Sequence, residues 1–285
     1  MSSKVKVIEC PRDAMQGIED FIPTANKARY INALLKVGYD TVDFGSFVSP
    51  KAIPQMRDTE AVLKLLKLDD TDSKLLSIVA NYRGAEDASS FDEISYIGFP
   101  LSVSETFQQR NTHKSIDESL RSVEKINNLV TNSNKELVVY LSMAFGNPYG
   151  DKWDVETVVS LAERVAQLGV KTIALSDTIG ISEEESIKYL FSSLIPEFPD
   201  VEFGAHLHSR IETWREKVMA SYNAGCRRFD SAIKGLGGCP FAKDDLVGNL
   251  PTEKLLSYMT EKRVETNINP LMFESAYNSA LDIFN

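Results

Sequence analysis

The sequence predicts an α/β fold, a single (β/α)8 barrel followed by an extra C-terminal helix. Its 285 residues match the size of one barrel domain, for which about 250 is usual. Strand-like and helix-like segments alternate about eight times over roughly 230 residues, the pattern of a parallel sheet closed on itself. A doubly wound open sheet would carry a phosphate-binding glycine fingerprint after its first strand, and Cys10-Pro11-Arg12-Asp13 stands there instead. The whole chain, 1–285, reads as one TIM-barrel domain, with the barrel over about 4–263 and the extension over about 264–285.

Apolar, β-branched runs mark eight strands, at residues 5–9, 41–44, 75–80, 93–99, 137–142, 172–176, 201–206 and 227–231. Between them apolar residues recur at helical spacing, as in Ala28, Ile31, Leu34 and Leu35, or Val155, Val158, Val159, Ala162 and Val165. Gly38, Gly169 and Gly225 follow such helices where a C-cap belongs. Residues from 268 onward read as the added helix, placed to pack on the barrel wall or on a neighbouring subunit.

With 43% hydrophobic and 25% charged residues, the composition excludes a disordered or collagen-like chain. Lys and Arg number 31 against 41 Asp and Glu, and the net charge of −10 argues against sequence-independent binding to nucleic acid. Cys10, Cys226 and Cys239 are too sparse for a disulfide framework, and no CxxC pair points to structural zinc. The N-terminal segment lacks the apolar run of a secretory signal, and no stretch approaches the roughly 20 apolar residues of a membrane span. A cytoplasmic address, with neither membrane nor nucleic acid as partner, is expected.

Barrel chemistry sits at the C-terminal ends of the strands. Arg12 and Asp13 follow the first strand, Asp177 the sixth, His206 and His208 end the seventh, and a glycine-rich segment with Cys239 and Asn249 follows the eighth. Residues two apart on a strand share a face, so both imidazoles of His206-Leu207-His208 can reach one metal. An isolated HxH is as often a pair of hydrogen-bonded loop histidines; facing an Arg-Asp pair, it reads better as a ligand pair. Asp13 adds a carboxylate and Asn249 an amide oxygen. Oxygen ligands favour Mg²⁺ or Mn²⁺, while imidazoles keep Zn²⁺, Co²⁺ and Fe²⁺ open. Arg12 is always charged and suits an oxyanion, although a lone rim arginine is more often a salt bridge. Asp177 is a helix cap, a ligand-orienting carboxylate or a base. Cys239, among three glycines of a lid-like loop, can exchange a proton, whereas Cys10 and Cys226 read as packing.

These residues resemble the 3-hydroxy-3-methylglutaryl-CoA lyase family. The resemblance rests on Pro11-Arg12-Asp13 with Gln16, on Ser46-Phe47-Val48-Ser49-Pro50-Lys51 with Pro54-Gln55-Met56, on Ser176-Asp177-Thr178-Ile179-Gly180, on His206-Leu207-His208, and on GLGGCPFA with Gly248-Asn249-Leu250 and Thr252-Glu253. It implies a divalent metal held by Asp13, His206, His208 and Asn249, and an acyl-CoA substrate touched by Arg12, Gln16, Asp43 and Ser46. Arg12 would stabilise an enolate, Cys239 would transfer a proton, and His206 or Asp177 would be the base. Asp177 and Glu253 would support the polar network. The implied reaction is retro-Claisen cleavage to acetoacetate and acetyl-CoA, in a homodimer.

Three departures from the family pattern lie close to these positions. Ala14 replaces the glycine after Arg-Asp, Asp43 stands where Glu is typical, and Ser209-Arg210-Ile211 replaces Asp-Thr-Tyr. Lys51 and Lys243 are candidate phosphate contacts, with a solvated surface charge the simpler reading. The rivals are a lyase for a related 3-hydroxyacyl-CoA, an acetyl-CoA-dependent synthase of the isopropylmalate or homocitrate type, and an inactive barrel serving as a binding partner.

Overall fold

The computed structural model describes residues 4–238 and 247–284. Eight parallel strands close into the expected barrel: β1 (Lys6–Glu9), β2 (Thr41–Ser46), β3 (Lys74–Ile78), β4 (Ile94–Ser102), β5 (Glu136–Ser142), β6 (Thr172–Asp177), β7 (Glu202–Ser209) and β8 (Arg228–Ser231). The ring is sealed by β8 against β1, with Lys6 opposite Arg228 and Glu9 opposite Ser231. The seventh strand does not stop at residue 206. A short antiparallel strand, β9 (Gly248–Asn249), pairs with its end, His208 opposite Asn249, and so prolongs the ladder. His206 and His208 therefore sit inside a strand, on one face.

The helices are α1 (Pro11–Gln16), α2 (Thr24–Leu34), α3 (Thr59–Leu63), α4 (Tyr82–Ser89), α5 (Glu105–Thr112), α6 (Ile116–Asn132), α7 (Val155–Gln167), α8 (Glu184–Glu197), α9 (Trp214–Asn223), α10 (Thr252–Glu261) and α11 (Pro270–Phe284). Local chemistry sets several of their starts. Ser115 and Glu118 form a reciprocal capping box for α6, and Asp154 accepts from Thr157 N at the start of α7. The added helix α11 lies on α2, where the Phe284 ring meets Tyr30 edge-on at 5.8 Å. Within the chain it thus packs on the barrel wall.

Both faces of each strand are buried, as a closed parallel sheet requires. Outward-facing Val7, Val42, Leu75, Ile97, Val139, Ile173 and Phe229 pack under Ile31, Val123, Val165, Leu190 and Leu255 of the helices. The interior core is much smaller: Leu76, Val138, Tyr140 and Ala174, with Ile78 and Tyr96 against them. Below it, the fully buried Arg228 stretches across Gly204, where a Cβ would come within 3.0 Å of its Cδ, and reaches Glu202 at 3.4 Å. Above it the barrel interior turns polar.

Candidate active site

At the C-terminal end of the strands lies a cavity of about 460 Å³, with Arg12, Asp13, Gln16, His206 and His208 on one side and Val48, Ile53, Ile78, Pro100, Phe107 and Tyr140 around the rest. Pro11, preset for the first turn of a helix, starts α1 immediately after β1 and turns Arg12 and Asp13 into the barrel mouth. The Arg12 guanidinium is held on two sides. Nε and Nη2 grip Asp43, with Nη2 to Oδ2 at 2.6 Å, while Nη1 donates to Asp13 Oδ1 and Gln16 Oε1, both at 2.9 Å. Of its five N–H groups, one on Nη2 has no partner among the described residues. Burial pushes the Asp43 carboxyl up to about 6 against the pull of Arg12, so it is ionised at neutral pH.

The two histidines are fixed by different partners. His206 Nδ1 lies 3.1 Å from Asp230 Oδ2; burial lowers its pKa, but the hydrogen bond to Asp230 and the charges of Asp230 and Asp13 outweigh this and raise it. His208 Nδ1 lies 3.0 Å from the carbonyl oxygen of Thr178. A carbonyl can only accept, so Nδ1 carries the hydrogen and Nε2 the lone pair. Burial and the neighbouring His206 push His208 down to about 4, which keeps it neutral. Its Nε2 is buried without a hydrogen-bond partner among the described residues. Burial would raise Asp13, yet Arg12, both imidazoles and Asn249 together hold it below the usual carboxylate range.

Ligand atoms of Asp13, His206 and His208 lie within 4.8 Å of one another. One ionised carboxylate and two imidazoles around an orphaned buried nitrogen fit a divalent cation. Cys10 with His206 and Asp230 makes a second such group. Burial drives the Cys10 thiol well above its ordinary pKa, however, so it stays a neutral packing group.

A family model described as HMGL-like matches residues 5–278. The chain belongs to the HMGL-like family. It is 31% identical over 258 residues to a hydroxymethylglutaryl-CoA lyase of Bacillus subtilis, covering 90% of this chain and 85% of that one. To the mitochondrial hydroxymethylglutaryl-CoA lyase of Rattus norvegicus it is 31% identical over 273 residues, covering 94% and 82%. A solved HMG-CoA lyase of Acinetobacter baumannii, in complex with coenzyme A and 3-methylmalate, superposes with a TM-score of 0.92 at 30% identity, covering 99% of this chain and 92% of that one. The relatives are enzymes, and this HMGL-like chain is a lyase-like enzyme.

Within this HMGL-like barrel the expected site residues divide. Arg12, Asp13, Gln16, His206 and His208 converge on the cavity. Asn249 joins them by its amide nitrogen, which donates to Asp13 Oδ2 at 2.7 Å and to the Leu236 carbonyl at 2.8 Å. It thus meets the cluster as a donor that orients Asp13, where an amide-oxygen ligand was expected. Gly237 makes room for this contact: its φ is +89°, and a Cβ there would lie 2.7 Å from both Asn249 Nδ2 and the Asp13 carbonyl.

Asp177 is brought to the end of β6 but turned away from the cavity. Oδ1 accepts from Ile181 N, and Oδ2 from Ser182 N, Ser182 Oγ and Lys217 Nζ. With its lone pairs taken by these donors it is poorly placed to act as a base. Ser46 and Glu253 also stand aside, Ser46 Oγ donating to the Ile78 carbonyl and Glu253 accepting from Lys234 N. Lys51 is exposed, as are Arg210 and Ile211, whereas Ala14 and Ser209 are buried. Cys239 and Lys243 lie outside the described residues. Sequence reasoning missed Asp230, Thr178 and Lys217. Only Asp230 carried a legible signal, an ionisable side chain two residues past another within a strand.

Proposed function

We propose that this chain cleaves 3-hydroxy-3-methylglutaryl-CoA to acetyl-CoA and acetoacetate by divalent-metal-dependent retro-Claisen chemistry. The observation that carries the reading is the meeting of Arg12, Asp13, His206 and His208 on one wall of the cavity. Asp13 and His208 would hold the cation, Mg²⁺ or Mn²⁺, with Asn249 steadying Asp13 and His206 kept for the proton. Bound there, such a cation supplies Lewis acidity that makes the tertiary hydroxyl of the substrate easier to ionise.

The side chains account for the rest. Of the two candidate bases, Asp177 is occupied by Lys217 and Ser182, which leaves His206. Asp230 holds its Nδ1, so the hydroxyl proton is assigned to Nε2. That nitrogen has a single lone pair, so His206 is the proton acceptor and leaves the cation to Asp13 and His208. Cleavage of the adjacent carbon–carbon bond places its electron pair in the enolate of acetyl-CoA, with the thioester as electron sink. The unpartnered Nη2 hydrogen of Arg12 holds the enolate oxygen. The resemblance assigns the proton that reaches the enolate carbon to Cys239. Gln16 lines the cavity beside Arg12 and is the proposed polar contact to the acyl group.

The test is CoA-ester cleavage with Mg²⁺ or Mn²⁺ by the wild-type chain, by Cys239→Ala and by His206→Ala. Acetoacetate formed by the wild type and lost in both variants supports the assignment. Bound metal without cleavage would reject this substrate in favour of another 3-hydroxyacyl-CoA. A homodimer, checked by sedimentation, and a cytoplasmic address belong to the same proposal. Free, buried Cys10 and Cys226 fit a reducing compartment, and among the described residues no helix is long and apolar enough to cross a membrane.

A further inference from the structure

Lys217, on α9, is buried to 1% exposure, and its Nζ makes three bonds that no catalytic assignment uses. It donates to Asp177 Oδ2 at 2.6 Å, to the Gly180 carbonyl at 2.9 Å and to the His208 carbonyl at 3.0 Å. An ammonium has three hydrogens, and all three are spoken for. A buried ion pair alone would be explained by charge balance. The third bond, onto the backbone of a candidate ligand, is not required for that.

The turn after β6 supplies the connection. Asp177 gathers the amides of Ile181 and Ser182, and Gly180 N donates to the Asp177 carbonyl. Thr178 lies inside this turn, and its carbonyl receives the Nδ1 hydrogen of His208. Lys217 therefore grips both ends of one arrangement: the turn that presents the Thr178 carbonyl, and the backbone of the histidine that the carbonyl orients. The outcome is a His208 ring fixed with Nε2 bare and aimed into the site.

We propose that Lys217 is a positioning residue that presets His208 for the divalent cation, an inference that rests on the cation reading given above. Its side chain touches neither the cavity nor the reacting atoms.

The test measures Mn²⁺ affinity by electron paramagnetic resonance and the melting temperature in chelator, for the wild type, Lys217→Met and the double variant Lys217→Met/Asp177→Asn. The double variant leaves no unpaired buried charge, so it remains decisive where Lys217→Met does not fold. The expected result is Mn²⁺ affinity lower by about 10-fold or more in every variant that folds, with a melting temperature largely restored in the double variant. Wild-type affinity in the double variant would overturn the proposal and reduce Lys217 to charge balance. Failure of the wild type to bind Mn²⁺ would overturn the cation reading itself, and this inference with it.

Discussion

The amide nitrogen of Asn249 donates to Asp13 Oδ2 at 2.7 Å and links residues 236 positions apart in the chain. One bond thus joins the first βα turn to the strand that caps the end of β7. Replacing Asn249 by Ala frees Asp13 Oδ2, with Oδ1 still held by Arg12, and takes a donor from the Leu236 carbonyl. Metal affinity measured by titration calorimetry is expected to fall about 10- to 100-fold, the usual cost of losing an orienting contact. An unchanged affinity would show that Asp13 needs no such support.

Arg12→Lys keeps the charge and loses the fork. An ammonium has three hydrogens, and Asp43, Asp13 and Gln16 would take all of them and leave none for the cavity. We expect kcat lower by about 10²- to 10³-fold, the range found when one oxyanion donor is removed, with a smaller change in KM. A raised KM with kcat unchanged would assign Arg12 to substrate binding alone.

Asp230→Asn addresses the role of His206 as base. Asp230 raises the pKa of that ring, and activity requires the ring unprotonated. Without the carboxylate the pKa drops, so the acid limb of the kcat/KM profile moves to lower pH. The plateau falls as well, by about 10- to 100-fold, because a weaker base accepts the proton. A limb that does not move would exclude His206 as the group that sets it.

Glu9 is wholly buried on the outer face of β1, accepting from Ile233 N at 2.8 Å and from Thr252 Oγ at 2.7 Å, and burial pushes its pKa to about 8. A carboxyl with a raised pKa in the fold contributes most below its unfolded value of 4.5, and that contribution is lost as the pH climbs towards 8. The full shift sets a ceiling of roughly 5 kcal/mol. Urea unfolding between pH 4.5 and 8.5 should show wild-type stability declining more steeply than that of Glu9→Gln. Parallel slopes would mean that Glu9 is ionised throughout.

The strands were legible because a closed parallel sheet buries both faces, and residues such as Leu137, Val138, Val139, Tyr140 and Leu141 leave an unbroken apolar run. Arg12, Asp13 and the two histidines could be placed because strand geometry fixes which side chains leave the barrel mouth together. What escaped was pairing at a distance. The spacing of Asp177 and Lys217, 40 residues apart, says nothing about an ion pair, and so cap, orienting carboxylate and base stayed open for Asp177. The direction of the Asn249 amide was equally hidden, because it depends on where the Leu236 carbonyl comes to rest.

Closure of β7 and β8 between β6 and β1 has a consequence for a chain still being made. Until those two strands arrive, β1 and β6 are raw sheet edges, open to pairing with any stray strand. Over the same interval Arg12 and Asp13 wait without imidazoles. The event that makes the molecule safe from aggregation is also the one that completes its reactive centre. Turnover in a lysate would therefore count only finished molecules, whereas an antibody against the first helices would count unfinished ones too.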